Sequence, residues 1–136
     1  MIFAGLSAAF AALVAIFGKI GISKIDSTLA TTVRAVVMAV FLVIVSFSLG
    51  KVKLLETFDS KAVVFIVLSA IAGAISWLFY FLALKNGPAS GVSAVDRLSV
   101  VFVLVLAGLF LGEKLTWKSG IGAIFVTIGA VLMSIK

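Results

Sequence analysis

Residues 62–84 read AVVFIVLSAIAGAISWLFYFLAL, an uncharged run of 23 residues that lies between Lys61 and Lys85. An α-helix needs about 20 apolar residues to cross the roughly 30 Å hydrocarbon core of a bilayer. The run therefore has the length and the composition of a membrane-spanning helix.

Four further apolar runs approach this length, so we predict five spanning helices. They lie near residues 2–20, 29–49, 62–84, 89–111 and 118–135. The separating segments carry charges together with Gly, Ser or Pro, which are typical of helix ends. A run such as 102–108, FVLVLAG, lacks the alternation of a membrane β-barrel strand. The predicted fold class is an all-α membrane protein, a five-transmembrane-helix bundle that forms a single domain over residues 1–136.

The overall composition excludes most soluble and enzymatic classes. Hydrophobic residues make up 64% of the chain and charged residues 12%, whereas soluble domains contain about half and a quarter. The absence of Cys and His removes disulfides, thiolate or imidazole metal sites and the commonest general base. We therefore expect no catalytic residues, cofactor or metal, and an intramembrane enzyme has little support without a second embedded carboxylate.

The basic residues indicate a lipid partner. Lys and Arg number 11 against 5 Asp and Glu, but they lie at helix ends and form no continuous basic tract. Anionic lipid headgroups explain this distribution better than nucleic acid does.

Loop charge bears on orientation, because the side with more Lys and Arg usually stays in the cytoplasm. The loops on the amino-terminal side carry Lys51, Lys53, Lys61, Lys114 and Lys118. Those on the opposite side carry Lys24, Lys85 and Lys136. We expect a multi-pass protein of the cytoplasmic membrane with its N-terminus inside and its C-terminus outside. Lys19, Arg34 and Arg97 lie toward the opposite side and nearly cancel this excess of positive charge. Insertion of the chain in both orientations therefore remains an alternative.

Ionisable side chains within spans are costly and mark candidate sites. Arg34, Asp96 and Arg97 each lie about 10 Å inside helices that enter from one side, and Lys19 approaches them from the end of the first helix. Such a cluster could attract an anionic or zwitterionic solute, or Asp96 could bind a proton or a cationic group. The structural alternative is that Asp96 pairs with Arg34 or Arg97 while Lys19 extends to the headgroups.

Trp77 and Tyr80 lie one turn apart in the third helix, with Phe79 and Phe81 beside them. Trp77 is too central for the interfacial aromatic belt. It is either a stacking surface for a planar or cationic solute or a buried packing aromatic.

Five segments and one further residue together resemble the EamA-type domain of the drug/metabolite transporter superfamily. They are 76–90 (SWLFYFLALKNGPAS), 95–101 (VDRLSVV), 109–115 (LFLGEKL), 6–13 (LSAAFAAL), 18–21 (GKIG) and Arg34. The resemblance covers essentially the whole chain and corresponds to the small five-helix branch.

The resemblance implies transport of a small metabolite or drug, and it places Lys19, Arg34, Trp77, Tyr80, Asp96 and Arg97 in the cavity. Larger members of this superfamily carry two such domains in opposite orientations around a central cavity. A chain with one domain then requires a partner, most simply an antiparallel copy of itself.

Two functions from different classes follow as hypotheses. The first is a transporter subunit that moves a small solute by alternating access, as a dimer. The second is an accessory or assembly subunit of another membrane complex, with no transport activity of its own.

Overall fold

The computed structural model describes residues 1–57 and 59–135, which form six α-helices. These are α1 (Ile2–Gly21), α2 (Ser27–Ser48), α3 (Ser60–Asn86), α4 (Ala89–Asp96), α5 (Ser99–Phe110) and α6 (Trp117–Ser134). A short 3₁₀ helix, Lys51–Thr57, lies between α2 and α3. Lys136, which entered the orientation argument, lies outside the described residues.

Five segments are long and apolar enough to span a bilayer: α1, α2, α3, the segment Ala89–Phe110 and α6. No strand occurs within the described ranges. The predicted all-α membrane fold with five spanning segments is therefore confirmed.

The fourth span is divided, whereas the sequence predicted one continuous helix over 89–111. Between α4 and α5 the backbone N–H of Leu98 donates to the carbonyl of Val95 at 2.9 Å, and that of Val101 donates to the carbonyl of Leu98 at 2.9 Å. These bonds reach back three residues rather than four, so one turn is tightened to 3₁₀ geometry. Neither Pro nor Gly marks this turn, which explains why the sequence pattern did not reveal it.

The chain divides into two compact units, residues 18–85 and residues 1–17 with 86–135. We call them the middle unit and the terminal unit. The core of the middle unit contains Ile22, Phe81 and Leu84, which are 1%, 2% and 0% exposed. Gly18 lies against this core, since a Cβ added there would meet the Phe81 ring at 3.3 Å. The end of α1 and the end of α3 therefore meet closely only because residue 18 has no side chain.

Two lysines of the middle unit donate to backbone carbonyls. Lys19 Nζ donates to the carbonyls of Leu84 and Lys85, and Lys85 Nζ donates to the carbonyl of Ile25 at 3.2 Å. Carbonyls in the last turn of a helix lack an intrahelical partner. Lys19 thus satisfies the carboxyl end of α3 while its stem crosses from α1.

The start of α2 is capped by Asp26. Its Oδ1 accepts from the backbone N–H groups of Thr28 at 2.9 Å and Leu29 at 3.0 Å. The hydrogen bond from Leu29 is the main cause that lowers the pKa of the Asp26 carboxyl below its usual value. This cap starts α2 at Ser27, two residues before the predicted boundary. Thr116 caps α6 in the same way by accepting from the Ser119 N–H at 3.2 Å.

In the terminal unit, α4 packs along α6. A Cβ added at the buried Gly91 would lie 3.2 Å from the Met133 carbonyl oxygen and 3.7 Å from the Ser134 Cα. Without a strong hydrophobic force between helices in lipid, such close backbone approach is a main source of association. Gly91 therefore sets the spacing of α4 and α6.

The turn after α5 depends on Gly112, whose φ of 66° is one that L side chains rarely adopt. The turn lets the Glu113 N–H donate to the Ala107 carbonyl at 3.2 Å, and Leu115 then lies beside Gly108. Gly112-Glu113 therefore has a backbone role, which closes the carboxyl end of α5.

We predict that Gly91→Val destabilises the protein by about 1–3 kcal/mol, because overpacking must separate α4 from α6. The measurement is the free energy of unfolding in mixed micelles titrated with a denaturing detergent. Gly122→Val is the matched control, since nothing lies within 4 Å of a Cβ at Gly122. Equal destabilisation by the two substitutions would contradict the role given to Gly91.

Candidate functional site

Arg34 and Trp77 form the centre of the candidate site in the middle unit. The guanidinium carbon of Arg34 lies 3.4 Å from the centroid of the Trp77 ring, which is a stacking distance, and 5.4 Å from the centroid of the Phe81 ring. The ring quadrupole attracts a cation over its face. Helices α2 and α3 are therefore joined by a cation–π contact.

Three aromatic residues of α3 support this contact. Trp77, Tyr80 and Phe81 are separated by three and four residues, so they share one face of the helix. Their ring centroids are 5.8 to 6.1 Å apart. Phe81 is buried in the core against Gly18, whereas Phe79 is 67% exposed and lies off this face. The fixed position of Phe81 holds the Trp77 ring beside Arg34.

A cavity of about 530 Å³ opens beside this contact, lined entirely by residues of α2 and α3. Arg34 and Trp77 lie in its wall with Thr31, Met38 and Gly73. The hydroxyls of Thr31 and Thr32 donate to the carbonyls four residues before them, so their donors are used within the helix. Arg34 is thus the one charged residue in a mostly apolar wall.

The cavity has the dimensions of a small-molecule site, which in proteins is typically 300–1,000 Å³ and mainly apolar with a few placed polar groups. Gly73 contributes open space to the cavity, since nothing lies within 4 Å of an added Cβ. The arrangement can hold an organic molecule of moderate size against one cation.

Lys19, Arg34, Trp77 and Tyr80 were predicted as cavity residues, and all four belong to the middle unit. Arg34 and Trp77 line the cavity, and Tyr80 contacts Trp77 edge to face. Lys19 is directed to the carboxyl end of α3 instead.

Asp96 and Arg97, the other two predicted residues, belong to the terminal unit. They lie at the tightened turn between α4 and α5. Asp96 is half-buried and Arg97 is exposed. These two residues lie where the fourth span changes from α to 3₁₀ geometry. Such a tightened turn within a long helix often marks a functional hinge or a strained sequence.

Several wall residues were not predicted from the sequence. Thr31, Ala35, Met38 and Leu42 line the cavity at intervals of three and four residues along α2. This periodicity describes the helix face next to Arg34. Counting three or four residues in either direction from Arg34 along α2 would have pointed to this region of the helix surface. The apolar pattern of a membrane helix does not, however, distinguish a cavity wall from a lipid-facing surface.

Five apolar segments long enough to span a bilayer define a multi-pass membrane protein, and the cavity beside Arg34 is its candidate small-molecule site. A profile of the EamA-like transporter family matches residues 1–135. The chain belongs to this family.

Two relatives are informative. An uncharacterised transporter in the cobO 3′ region of a Sinorhizobium species is 40% identical over 130 residues, which cover 96% of this chain and 92% of the relative. An uncharacterised protein of Methanocaldococcus jannaschii is 33% identical over 78 residues, which cover 57% of each chain. No solved structure matches the chain.

A double-mutant cycle tests the Arg34–Trp77 contact. We expect Arg34→Gln and Trp77→Leu to show a coupling of about 1–2 kcal/mol in the free energy of unfolding, because each removes one half of a partly desolvated cation–π pair. Lys24→Gln combined with Trp77→Leu is the control, since Lys24 is an exposed loop residue of the same unit. Additivity of the Arg34 and Trp77 substitutions within about 0.5 kcal/mol would contradict the contact.

Proposed function

We propose that the chain is one subunit of a dimer that moves a small metabolite or drug-like solute across the cytoplasmic membrane by alternating access. The observation that carries the proposal is the family match over residues 1–135 together with the cavity beside Arg34. The family points to a membrane transporter rather than an enzyme, and the cavity offers a place for the solute within two spanning helices.

Placement of the cavity supports this function. Arg34 is seven residues beyond the first residue of α2, which puts it about 10 Å along the helix axis. Transporters of alternating-access type hold their solutes within the membrane rather than at its surface. A site at this depth is therefore consistent with a solute held inside the membrane.

The tightened turn at Asp96 and Arg97 supplies a candidate moving part. Alternating access requires segments that change their angle without breaking the backbone hydrogen bonds that lipid demands. A 3₁₀ turn keeps these bonds while it changes the local pitch. We assign the turn between α4 and α5 as the hinge of the fourth span, with Asp96 as its ionisable group.

The proposed dimer is antiparallel. An odd number of crossings, as the five apolar segments suggest, would put the two ends of the described chain on opposite faces of the membrane, and the basic residues are nearly balanced between those faces. A second copy in the opposite orientation would build the inverted pair on which alternating access rests.

Flux in proteoliposomes tests the transport function. We expect a panel of small organic ions to include at least one solute that is taken up or released. We expect Asp96→Asn to lower the flux of that solute about tenfold or to flatten its pH dependence, because the amide carries neither the charge nor the exchangeable acid proton of a carboxyl group. Asp59→Asn is the matched control, since Asp59 lies outside the helices and is exposed.

Folded dimers that move nothing in the panel would contradict transport by this chain. If they also co-purify with a foreign membrane protein at a fixed ratio, an accessory subunit becomes the better account. Normal flux and pH dependence in Asp96→Asn would contradict the hinge role of Asp96 alone.

Terminal reporter fusions test the antiparallel arrangement in cells. We expect each terminus to be detected on both sides of the membrane in comparable amounts, because the loop lysines bias insertion only slightly. Adding two lysines beside Lys24 should shift the population toward one orientation and lower flux. A single orientation for every copy of the unmodified chain would contradict the antiparallel dimer.

A further inference from the structure

Arg34 is the charged group of the cavity, and its charge is not neutralised within the middle unit. In the described part of the chain it makes ring contacts with Trp77 and Phe81 and neither a hydrogen bond nor an ion pair with a protein acceptor. Donors of a guanidinium at membrane depth are costly to leave unbonded, and such residues face a cavity or a partner. The half-buried Arg34 guanidinium, in the wall of the cavity, is therefore available to an acceptor that enters the cavity.

Stacking on Trp77 determines which part of Arg34 is available. A guanidinium is planar, and its N–H donors lie in that plane. The Trp77 ring centroid lies 3.4 Å from the guanidinium carbon, so the ring covers one side of the guanidinium, and we take the open edge to be the part that a ligand in the cavity can reach. The open edge matches the two oxygens of a carboxylate or of a phosphate, which a guanidinium binds in a bidentate manner.

The same contact disfavours a cationic solute. The sequence left Trp77 either as a stacking surface for a planar or cationic molecule or as a packing aromatic, and one face of its ring is already occupied by the Arg34 cation. A second cation beside Arg34 would meet like-charge repulsion in a wall that holds no carboxylate among its lining residues. Charge complementarity therefore selects an anion.

The rest of the wall selects an apolar body. The cavity of about 530 Å³ is much larger than one carboxylate, and beyond Arg34 it is lined by side chains such as Met38, Leu42 and Leu78. A small hydrated ion would leave these side chains without contacts. An organic anion would bury its apolar part against them.

We infer that the cavity binds an amphipathic monoanion, with the anionic head on the edge of Arg34 and the apolar body between α2 and α3. The inference rests on the proposed transport function and deepens it by naming the class of solute. The head can belong to a free organic acid or to an anionic lipid, which present the same chemistry to Arg34.

Trp77 is a reporter for this site. In a Trp117→Phe background Trp77 is the remaining tryptophan, and Trp117 is 88% exposed in the terminal unit. The protein is placed in nanodiscs of phosphatidylcholine, and its emission is followed as phenylacetate is added. Phenethylammonium is the matched cation, since it carries the same ring.

We expect a saturable change in Trp77 emission with phenylacetate and at least a tenfold weaker response to phenethylammonium. Arg34→Gln should weaken phenylacetate binding at least tenfold, because a charge-assisted hydrogen bond is lost. Arg34→Lys should restore part of it as a point charge without the bidentate edge. Lys24→Gln removes the same charge from the same unit outside the cavity and should leave binding unchanged.

A second set of nanodiscs contains phosphatidylglycerol and distinguishes the two sources of the anion. If the lipid is the natural occupant, Trp77 emission changes without any added solute, phenylacetate competes weakly, and both effects vanish in Arg34→Gln. If a free acid is the occupant, phenylacetate binds equally well in both kinds of disc.

An equal response to phenylacetate and phenethylammonium in the Trp117→Phe protein overturns the inference, and this comparison does not depend on how Arg34 variants fold. Unchanged phenylacetate binding in folded Arg34→Gln overturns it as well. Anion binding without flux would leave the inference standing and contradict only the transport function. Flux of cations with no anion binding would support the transport function and contradict the inference.

Discussion

Hydrocarbon offers no hydrogen-bond partner, so every backbone N–H and C=O within a span must be satisfied by the protein itself. The five spanning segments meet this demand as helices, and the irregular points of the fold meet it in ways that can be named. The turn between α4 and α5 replaces bonds to the fourth preceding residue with bonds to the third. The carboxyl end of α3 receives the ammonium of Lys19. The positive φ of Gly112 turns the Glu113 N–H back onto α5.

The same constraint makes Arg34 the most informative side chain of the middle unit. Its charge lies about 10 Å along a spanning helix, where water is scarce. The Trp77 ring compensates part of the lost hydration through its face, and Arg34 also lies in the wall of the cavity. On the proposal made above, this site would discriminate by charge through Arg34 and by size and polarity through the apolar wall. Because Trp77 is held by Phe81, and Phe81 by the contact with Gly18, the site inherits its geometry from the core of the unit.

In the terminal unit, as at Gly18 in the middle unit, a glycine allows two helices to approach closely. Association of helices in lipid depends on close packing rather than on exclusion of water. Gly91 allows the backbone of α4 to approach that of α6, near Met133 and Ser134. The span that contains Gly91 also contains the tightened turn at Asp96 and Arg97, so one end of this span is held tightly by α6 while its middle departs from regular α geometry.

The sequence by itself determined the fold class and the five spans, because the length of the apolar runs and the charge of the loops follow directly from the thickness and polarity of the bilayer. Its motifs also determined the family resemblance. It also singled out Arg34 and Trp77, since charge and a central tryptophan are unusual in lipid. The tertiary structure decided that these two residues contact each other. Their contact joins residues 43 positions apart in the chain, and no local pattern records which faces of α2 and α3 meet. The structure likewise directed Lys19 to the end of α3 and divided the fourth span, because both depend on which carbonyls lack a partner once the helices are packed.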